Sequence, residues 1–332
     1  MIVDVHVHVS ALSPENGLMS RKLIRSLPFR FIKWRLGLSG EDARTEAQLR
    51  RVLFTTLENT PELDAAVMLA FDAVHDRAGN LDLANTHLYT RNDYVISLAT
   101  QHRKILFGAS IHPYRKDAVQ ELERCVKAGA VLLKWLPITQ GMNPADDACI
   151  PFYEALAHHK LPLLCHTGGE KSLPNIAPDT PSPRLLLPAL ERGVTVIAAH
   201  CGTRSTFTEQ DYVRDFMAMC HEHEHFYGDT SALNLPTRSH AFKMVLGDKV
   251  VRSKLVHGSD WPIPVIPPIG TIGLARSAEC FMEGNWLRRD ILIKQCMDFD
   301  EAYWHRAGRV LRLTGHSQRQ LQNLHTAGIE AG

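Results

Sequence analysis

Eight short apolar runs constrain the fold of this chain more than any other feature of its sequence. Each run is long enough for one buried strand, and each is followed by a stretch with the apolar periodicity of a helix. Alternation of buried strands with amphipathic helices is typical of parallel βα units. The predicted strands cover residues 2–9, 65–71, 105–111, 130–136, 161–167, 194–200, 225–231 and 254–260.

Eight such units in a chain of 332 residues favour a (β/α)₈ TIM barrel of the α/β class over an open doubly wound sheet, which is the alternative. Neither an internal repeat nor a Pro/Gly-rich linker divides the chain. We therefore expect one domain over residues 1–332, with C-terminal helices after the last strand. Helices between the strands are predicted at residues 81–103, 118–128, 150–159, 183–192, 209–222 and 238–246.

A long insertion interrupts this alternation after the first strand, at about residues 10–64. Its centre, residues 20–38, interleaves six basic residues with large apolar ones. The pattern predicts either a lid over the barrel mouth that attracts an anionic substrate, or an oligomer contact or helix packed on the barrel side. Membrane-surface binding is a less favoured third interpretation, because Pro28 is expected to break the helix midway.

Charge and cysteine content argue against several classes of function. The chain has 37 basic and 36 acidic residues, so there is no electrostatic reason to expect nucleic acid as a partner. Apolar runs fall short of the roughly 18 residues that a membrane span needs, and the first residues lack a signal-peptide layout. Seven irregularly spaced cysteines fit reduced thiols. We expect a cytoplasmic protein that binds a small molecule and no membrane, with a homodimer suggested by fold analogy alone.

The first predicted strand carries the strongest chemical signal, the run Asp4-Val5-His6-Val7-His8. Side chains two apart on a strand point the same way, so His6 and His8 are expected to face the barrel interior while Val5 and Val7 face the helices. His-x-His pairs also occur as ordinary surface residues. Within an apolar strand, however, unpaired imidazoles are costly, which favours a shared metal ion.

Three other predicted strands end on a polar residue that is followed by a turn signal: His166, His200 and Asp260. A barrel keeps its catalytic groups at the carboxyl ends of its strands. Any one of these residues could be an ordinary hydrogen-bonded strand end, but the arrangement recurs on four strands of one chain. Three or four histidines with one aspartate form a ligand set that suits Zn²⁺.

Lys134 lies near the end of the fourth predicted strand among apolar neighbours. A buried lysine is costly unless it is paired. It could contact a substrate carboxylate, pair with Asp4 or Asp229, or be carbamylated and bridge two metals; we favour the pairing roles over the bridge. Arg204, like Arg115 and Arg184, is a candidate contact for an anionic substrate, although simple solvation is the favoured interpretation of each arginine alone.

Together these residues resemble the amidohydrolase superfamily, most closely its amidohydrolase 2 branch of metal-dependent hydrolases. That branch also includes decarboxylases related to aminocarboxymuconate-semialdehyde decarboxylase. The resemblance spans nearly the whole chain and implies that His6, His8, His166 and Asp260 hold the metal, with His200 as the catalytic imidazole. It is carried by His6-x-His8, His166-Thr167-Gly168, Ala199-His200-Cys201-Gly202 and Gly258-Ser259-Asp260-Trp261-Pro262.

Two features depart from the pattern of that family. Lys134 stands on the strand that carries a bridging carbamylated lysine in two-metal members, so one ion is favoured and two remain the alternative. In the two-metal case His166 and His200 would both bind the second ion. Residues 301–313 lack the Asn-Ala pair that is common near that end.

The resulting hypothesis is a hydrolase, with Zn²⁺ as the favoured metal, that cleaves a carbon–nitrogen or carbon–oxygen bond of a small, carboxylated substrate. Asp260 would accept a proton from metal-activated water, and His200 would orient the water or stabilise the oxyanion. The rival reaction on the same site is non-oxidative decarboxylation, with a hydratase or lactonase as a variant. A metal-binding barrel without activity is the least favoured class.

Overall fold

Eight parallel strands form a barrel in the computed structural model of the protein, which describes residues 1–40 and 42–313. Around the barrel the order is β1-β3-β5-β6-β7-β8-β9-β10. Each of the eight predicted strands contains one barrel strand, so the predicted (β/α)₈ fold is confirmed. The strands are β1 (Val3–His8), β2 (Gly17–Met19), β3 (Ala65–Leu69), β4 (Leu88–Thr90), β5 (Ile105–Ala109), β6 (Leu132–Trp135), β7 (Leu163–His166), β8 (Val196–Ala199), β9 (Phe226–Asp229) and β10 (Leu255–Val256).

Hydrogen bonds between the first strand and the segment after the last one close the barrel. The N–H of Val5 donates to the carbonyl of His257 at 3.0 Å, and the N–H of Asp260 donates to the carbonyl of His6 at 2.8 Å. Strand β1 is therefore bonded on both edges, to β3 on one side and to residues 257–261 on the other.

Helices surround the barrel, and five of the six predicted ones coincide with an observed helix to within a few residues. The prediction for residues 81–103 is wrong in its first half, because residues 88–90 pair with Gly17–Met19 as an antiparallel strand. The α-helices are α1 (Arg21–Ile24), α2 (Leu27–Arg35), α3 (Asp42–Glu58), α4 (Asn92–Gln101), α5 (Ala118–Lys127), α6 (Pro137–Gln140), α7 (Ile150–His159), α8 (Leu187–Glu191), α9 (Val213–Glu222), α10 (Ala241–Gly247), α11 (Lys249–Arg252), α12 (Ile269–Ile272), α13 (Leu274–Met282), α14 (Trp286–Gln295) and α15 (Glu301–Val310).

A β-bulge in β1 corrects the predicted orientation of Val5. The pairing of β1 with β3 shifts by one residue between Asp4 and Val7. Val3 and Val5 consequently pack inside the barrel, whereas Val7 packs in the layer between the strands and the helices. A bulge reverses the inward and outward alternation of a strand. This reversal is what allows His6 and His8 to face the interior at the carboxyl end of the strand.

The insertion after β1 folds as strand β2 and helices α1 to α3. The hydroxyl of Ser26 accepts from the N–H of Phe29 and caps α2, so that Pro28 lies in the first turn of this helix. Proline is well tolerated at that position because its missing N–H would have no partner within the helix. The expected break is confirmed and falls just before Pro28: α1 ends at Ile24, and α2 then runs from Leu27 to Arg35.

Helix α15 closes the amino-terminal end of the barrel, packing against β1 and β10. The guanidinium of Arg306 donates to the carbonyl of Leu255 at 2.5 Å, which satisfies a backbone group at the start of β10. The segment that lacks the Asn-Ala pair thus still forms a regular helix, and this helix closes the barrel. Within the described ranges, none of the helices is sufficiently long and apolar to traverse a lipid bilayer.

Candidate active site

Three of the predicted metal ligands converge at the carboxyl end of the barrel. His6 Nε2 lies 3.1 Å from His8 Nε2. Oδ1 of Asp260 lies 3.4 Å from His6 Nε2 and 3.2 Å from His8 Nε2. Two imidazole nitrogens and one carboxylate oxygen, from two separate segments of the chain, therefore form a compact triangle.

The dimensions of this triangle fit one divalent metal ion. In a tetrahedral zinc site with bonds of about 2.0–2.2 Å, neighbouring ligand atoms are about 3.3–3.6 Å apart. The three observed separations of 3.1, 3.4 and 3.2 Å lie close to that spacing. The donor set of two imidazoles and a carboxylate also suits zinc and other divalent transition metals.

The loop after β10 holds Asp260 against β1. Oδ1 of Asp4 accepts from the backbone N–H groups of His6 and Ser259, both at 3.0 Å. The φ of Asp260 is +66°, a left-handed conformation that aspartate adopts more readily than most residues. Although burial alone would raise the pKa of Asp260, His6 and His8 hold this pKa below its ordinary value. The carboxylate is therefore ionised and able to act as a ligand.

The buried carboxylate of Asp229 sets the orientation of His6. Nδ1 of His6 donates to Asp229 Oδ2 at 2.7 Å, so the neutral ring presents the lone pair of Nε2 to the triangle. Burial, followed by the positive charge of Lys134, lowers the pKa of His6 well below its ordinary value. A neutral imidazole with a free Nε2 is the form that binds metal ions.

His200 lies beside the triangle, with its ring centroid 5.1 Å from that of His6. Its Nδ1 donates to the carbonyl of Ser231 at 3.0 Å, because a carbonyl oxygen can only accept. Nε2 of the neutral ring therefore keeps its lone pair. Burial, followed by the charge of Arg238, lowers the pKa of His200 well below its ordinary value. This neutral ring is suited to accept a hydrogen bond at Nε2, rather than to donate one to an oxyanion.

His166, the fourth predicted ligand, lies next to His200 at a ring-centroid distance of 4.8 Å. Its Nε2 is 3.2 Å from the carbonyl oxygen of Gly169 and donates to it. The structure thus brings His6, His8 and Asp260 together, whereas the ring of His166 is engaged in its hydrogen bond to Gly169. Ligation by His166 stays a prediction.

Lys134 is buried at the base of the site, and its Nζ lies 3.2 Å from His6 Nε2. Within the described residues it forms no ion pair with Asp4 or Asp229, the two partners considered from the sequence. Burial lowers the pKa of Lys134, while the charges of Asp229 and Asp260 act in the opposite direction. Its amine is close enough to the triangle to contact a metal ligand or a bound substrate.

The arginines at the site differ from those considered from the sequence. Arg204 lies outside the cavity lining, with its guanidinium 5.7 Å from the ring centroid of Phe207 and Nε 3.7 Å from Asp211. Arg115 and Arg184 each pair with two surface or loop carboxylates. The buried Arg238, which lines the cavity, was missed.

Arg238 joins the loops that follow β7 and β8. Its guanidinium donates to the carbonyls of Gly169, at 2.9 Å, and Thr203, at 3.1 Å. Its Nε is buried and has no hydrogen-bond partner among residues 1–40 and 42–313. The sequence placed Arg238 at the start of a predicted helix, where an arginine is usually solvated. Its position just beyond a barrel strand is the only signal that could have singled it out.

A cavity of about 220 Å³ lies over the triangle. Its base is polar, and its walls and roof are mainly apolar apart from Ser10, Glu170, Lys171, Ser172 and Ser205. The insertion contributes the roof through β2, α1 and α2, as expected for the lid interpretation. Residues at the base are His8, Lys134, His166, His200, Arg238 and Asp260; those of the roof are Met19, Leu23, Pro28, Phe29 and Ile32.

The family of the chain follows from a comparison with protein-family models. Residues 3–269 match the model described as amidohydrolase. The chain belongs to the amidohydrolase family. This confirms the predicted resemblance, and the matched range contains every residue of the triangle and of the cavity base. Members of this family use divalent metal ions, and this amidohydrolase has a compact His/Asp cluster of the kind that could hold one.

Solved structures with the same barrel support this assignment of the fold. An uncharacterised TIM-barrel protein from Bordetella bronchiseptica has a TM-score of 0.60 at 15% identity, covering 93% of this amidohydrolase and 99% of that chain. The 2,6-dihydroxybenzoate decarboxylase from Rhizobium has a TM-score of 0.56 at 14% identity, covering 95% and 99%.

A probable 2-pyrone-4,6-dicarboxylic acid hydrolase from Acinetobacter baumannii has a TM-score of 0.55 at 14% identity, covering 96% of this amidohydrolase and 98% of that chain. A search of curated proteins finds no match. Hydrolases and decarboxylases thus share this barrel, and at these identities the likeness extends to the fold alone.

Proposed function

We propose that this amidohydrolase is a metal-dependent hydrolase that cleaves a carbon–nitrogen or carbon–oxygen bond of a small, carboxylated substrate. The observation that carries the proposal is the triangle formed by His6 Nε2, His8 Nε2 and Asp260 Oδ1, with separations of 3.1 to 3.4 Å at the base of a cavity. One ion, preferably Zn²⁺, is proposed, with His166 as a further ligand.

When bound, such an ion supplies Lewis acidity, which polarises a carbonyl and makes a water more acidic. The protein's own groups then handle the proton. Asp260 is ionised and can accept a proton from the attacking water at the oxygen not engaged by the histidines. His200 orients the same water by accepting a hydrogen bond at Nε2, since its Nδ1 proton is committed to the carbonyl of Ser231.

The base of the cavity supports an anionic substrate. Lys134 and Arg238 both reach it, and the Nε–H of Arg238 has no partner in the part of the chain that the structure describes. The apolar roof and walls support a substrate with an apolar body next to its polar group. We propose that Lys134 and Arg238 contact the substrate carboxylate, a role considered for Arg204 from the sequence.

Decarboxylation is the second candidate, favoured by the same apolar cavity. Removing water from around a carboxylate destabilises its charge and eases loss of CO₂. The barrel of 2,6-dihydroxybenzoate decarboxylase is among those that superpose on this chain. In this reaction His200 Nε2 would hold the proton that replaces CO₂ on the substrate carbon.

We also propose a cytoplasmic location. All seven cysteines have free thiols, and six of them are buried. Reduced, unpaired cysteines are typical of proteins from a reducing compartment.

Product analysis in H₂¹⁸O separates the two reactions. The metal-loaded protein is incubated with panels of amides, lactones, esters and aromatic carboxylic acids. Hydrolysis places ¹⁸O in the product, whereas decarboxylation releases CO₂ and incorporates a solvent proton. His200→Asn provides the matched variant, and the surface variant His221→Asn the control. CO₂ release without ¹⁸O incorporation in the organic product would overturn the hydrolase proposal.

A further inference from the structure

The outer surface of α1 and α2 carries large apolar side chains that the barrel does not cover. Leu27, Phe31 and Trp34 lie on this surface, and 73% of Trp34 is exposed. The inner side of the same two helices contributes Leu23, Phe29 and Ile32 to the roof of the cavity. Helices α1 and α2 are therefore apolar on two opposite sides. Within the described part of the chain, only the inner side faces other residues of the protein, across the cavity.

Helix α13 extends this exposed surface. Phe31 and Trp34 share a groove with Ile266, Phe281 and Met282, and 83% of Met282 is exposed. Of the thirteen large apolar side chains exposed in the described residues, eight lie on α2, on α13 or on the segment just before α13. We call this surface the outer patch. Apolar surface concentrated in this way marks an interaction site rather than the scatter found on any protein.

The border of the outer patch is strongly basic. Residues 20–36 contain six lysines and arginines and no acidic residue, although the whole chain carries a net charge of only +1. Within the described residues, Lys22, Arg25 and Arg30 form no ion pair, whereas Arg21 lies 3.5 Å from Asp42. On the α13 side, Glu283 is already paired with Arg288 at 3.0 Å. Glu279 of α13 is exposed and forms no ion pair in the described residues, and the exposed Arg276 on the same helix offsets its charge. The net charge that remains available is positive.

We propose that the outer patch docks on an anionic membrane surface. Exposed leucine, phenylalanine and tryptophan flanked by lysine and arginine is the composition of helices that lie in the lipid interface, where the aromatic rings enter the boundary and the cations meet the headgroups. The sequence argued against this interpretation through a break at Pro28. The structure does break the helix just before Pro28, between α1 and α2, but Leu27, Phe31 and Trp34 all lie on α2, so the break leaves this surface continuous.

Charge disfavours a second copy of the chain as the occupant. Two copies joined symmetrically through α2 would bring their six basic residues face to face, with no acidic residue in residues 20–36 to offset them. An anionic lipid surface instead complements the same residues. The proposal concerns the outside of the lid and does not depend on which reaction the metal site performs.

Vesicle binding tests the proposal directly. The full-length protein is sedimented with phosphatidylcholine vesicles that contain or lack phosphatidylglycerol. We expect at least about tenfold tighter binding to the anionic vesicles, weakened by salt. Phe31→Ser with Trp34→Ser and, separately, Arg25→Glu with Arg30→Glu are each expected to lose at least about tenfold in binding. Leu81→Ser with Leu83→Ser, which changes two exposed leucines elsewhere, serves as the matched control.

Tryptophan fluorescence adds a readout local to the patch. All five tryptophans lie in the described residues, and Trp34 is the exposed one among them. Its emission is expected to shift to the blue on anionic vesicles, and Trp34→Phe should abolish the shift while sedimentation persists. Binding that does not exceed that to phosphatidylcholine alone, or that changes equally in the leucine control, would overturn the proposal. So would a dimer in solution that Phe31→Ser with Trp34→Ser dissociates, without vesicle binding.

Discussion

Asp229 contacts two histidines of the site through different oxygens, the ring of one and the backbone of the other. Oδ2 accepts from Nδ1 of His6 at 2.7 Å, and Oδ1 accepts from the backbone N–H of His200 at 2.8 Å. One buried carboxylate thus fixes both the ring proton of a proposed ligand and the backbone position of His200, which is proposed to orient the water. Residues in such supporting positions affect metal binding almost as strongly as the ligands themselves.

Replacing Asp229 should therefore weaken metal binding without removing a ligand. We expect Asp229→Asn to lower zinc affinity by about 10–100-fold, because His6 loses the partner that keeps its proton on Nδ1. Competition with a chromogenic chelator measures this affinity. Asp93→Asn, which alters an exposed carboxylate paired with Arg124, is the control. Unchanged affinity in Asp229→Asn would contradict the assignment of His6 as a ligand.

His200 is expected to affect the chemical step and not metal content. His200→Asn removes the Nε2 acceptor beside the triangle, so kcat should fall by about 10²–10⁴-fold. Elemental analysis should still find the wild-type amount of metal. If the metal is lost along with the activity, His200 is a ligand, and the two-ion arrangement gains support.

The sequence was most informative about single residues at strand ends. His6 and His8 lie two apart on β1, and Asp260 ends the predicted last strand, so strand periodicity and the barrel fold together predicted their meeting. Arg238 could not be found this way, because it lies in a turn whose position depends on the loops it joins. The hydrogen bond that holds Nε2 of His166 likewise depends on the path of the loop at Gly169, for which the sequence has no periodic signal.

Among the elements, β1 shows where regular periodicity misleads. Strict alternation predicted that Val5 faces the helices, but the bulge between Asp4 and Val7 turns Val5 inward. A bulge leaves one residue of the strand unpaired, and tertiary contacts alone determine its position. Here Asp4 accepts from the N–H of His6 within the bulge. The strand could be predicted from its apolar run, whereas the bulge depends on the partner loop that carries Ser259.

The loop after β7 gives a prediction about backbone conformation. Gly168 has a φ of +84°, and a Cβ at this position would lie 2.1 Å from the carbonyl oxygen of Thr203. Gly193 has a similar φ of +78°, but a Cβ there would meet nothing within 4 Å. Gly193→Ala should therefore cost only the left-handed strain, roughly 1–2 kcal/mol of the free energy of unfolding.

Gly168→Ala should cost clearly more than Gly193→Ala and also impair activity, since the loop at Gly169 must move away from His166 and Arg238. Urea unfolding of the two variants compares these costs. Equal destabilisation of both proteins would contradict the close packing of the loops after β7 and β8.

The lid makes a separate prediction for substrate binding. Ile32 lines the roof of the cavity, while Arg30 lies on the outer side of the same helix. Ile32→Ala should raise KM by on the order of tenfold through lost apolar contact, with metal content unchanged. Arg30→Ala should leave KM as it is. A KM that is insensitive to Ile32 would show that the roof does not contact the substrate.

For the whole molecule, the buried imidazoles make stability depend on pH. His112 donates to the carbonyl of Gln140 and accepts from the N–H of Tyr114, and burial lowers its pKa to about 3. An unfolded histidine has a pKa of about 6.5. The unfolded state therefore binds more protons between these values, and the stabilisation by His112 is complete above about pH 6.5 and lost as the pH falls towards 3.

Comparison with His112→Asn isolates this effect from the other titrating groups. The metal-free variant should be less stable than the wild type at neutral pH, and the difference between the two free energies of unfolding should shrink as the pH is lowered. Urea titrations across this range measure it. A difference that stays constant or widens at acidic pH would contradict a neutral, buried His112.

The central claim is that His6, His8 and Asp260 hold one divalent ion on which the activity of the molecule depends. Elemental analysis of freshly purified protein tests it, comparing the wild type with His6→Ala and Lys134→Ala. We expect about one zinc per chain, lost in His6→Ala and kept in Lys134→Ala. A metal content that does not depend on His6 would contradict the claim, and about two ions that fall when Lys134 is removed would replace the single-ion site with a bridged pair.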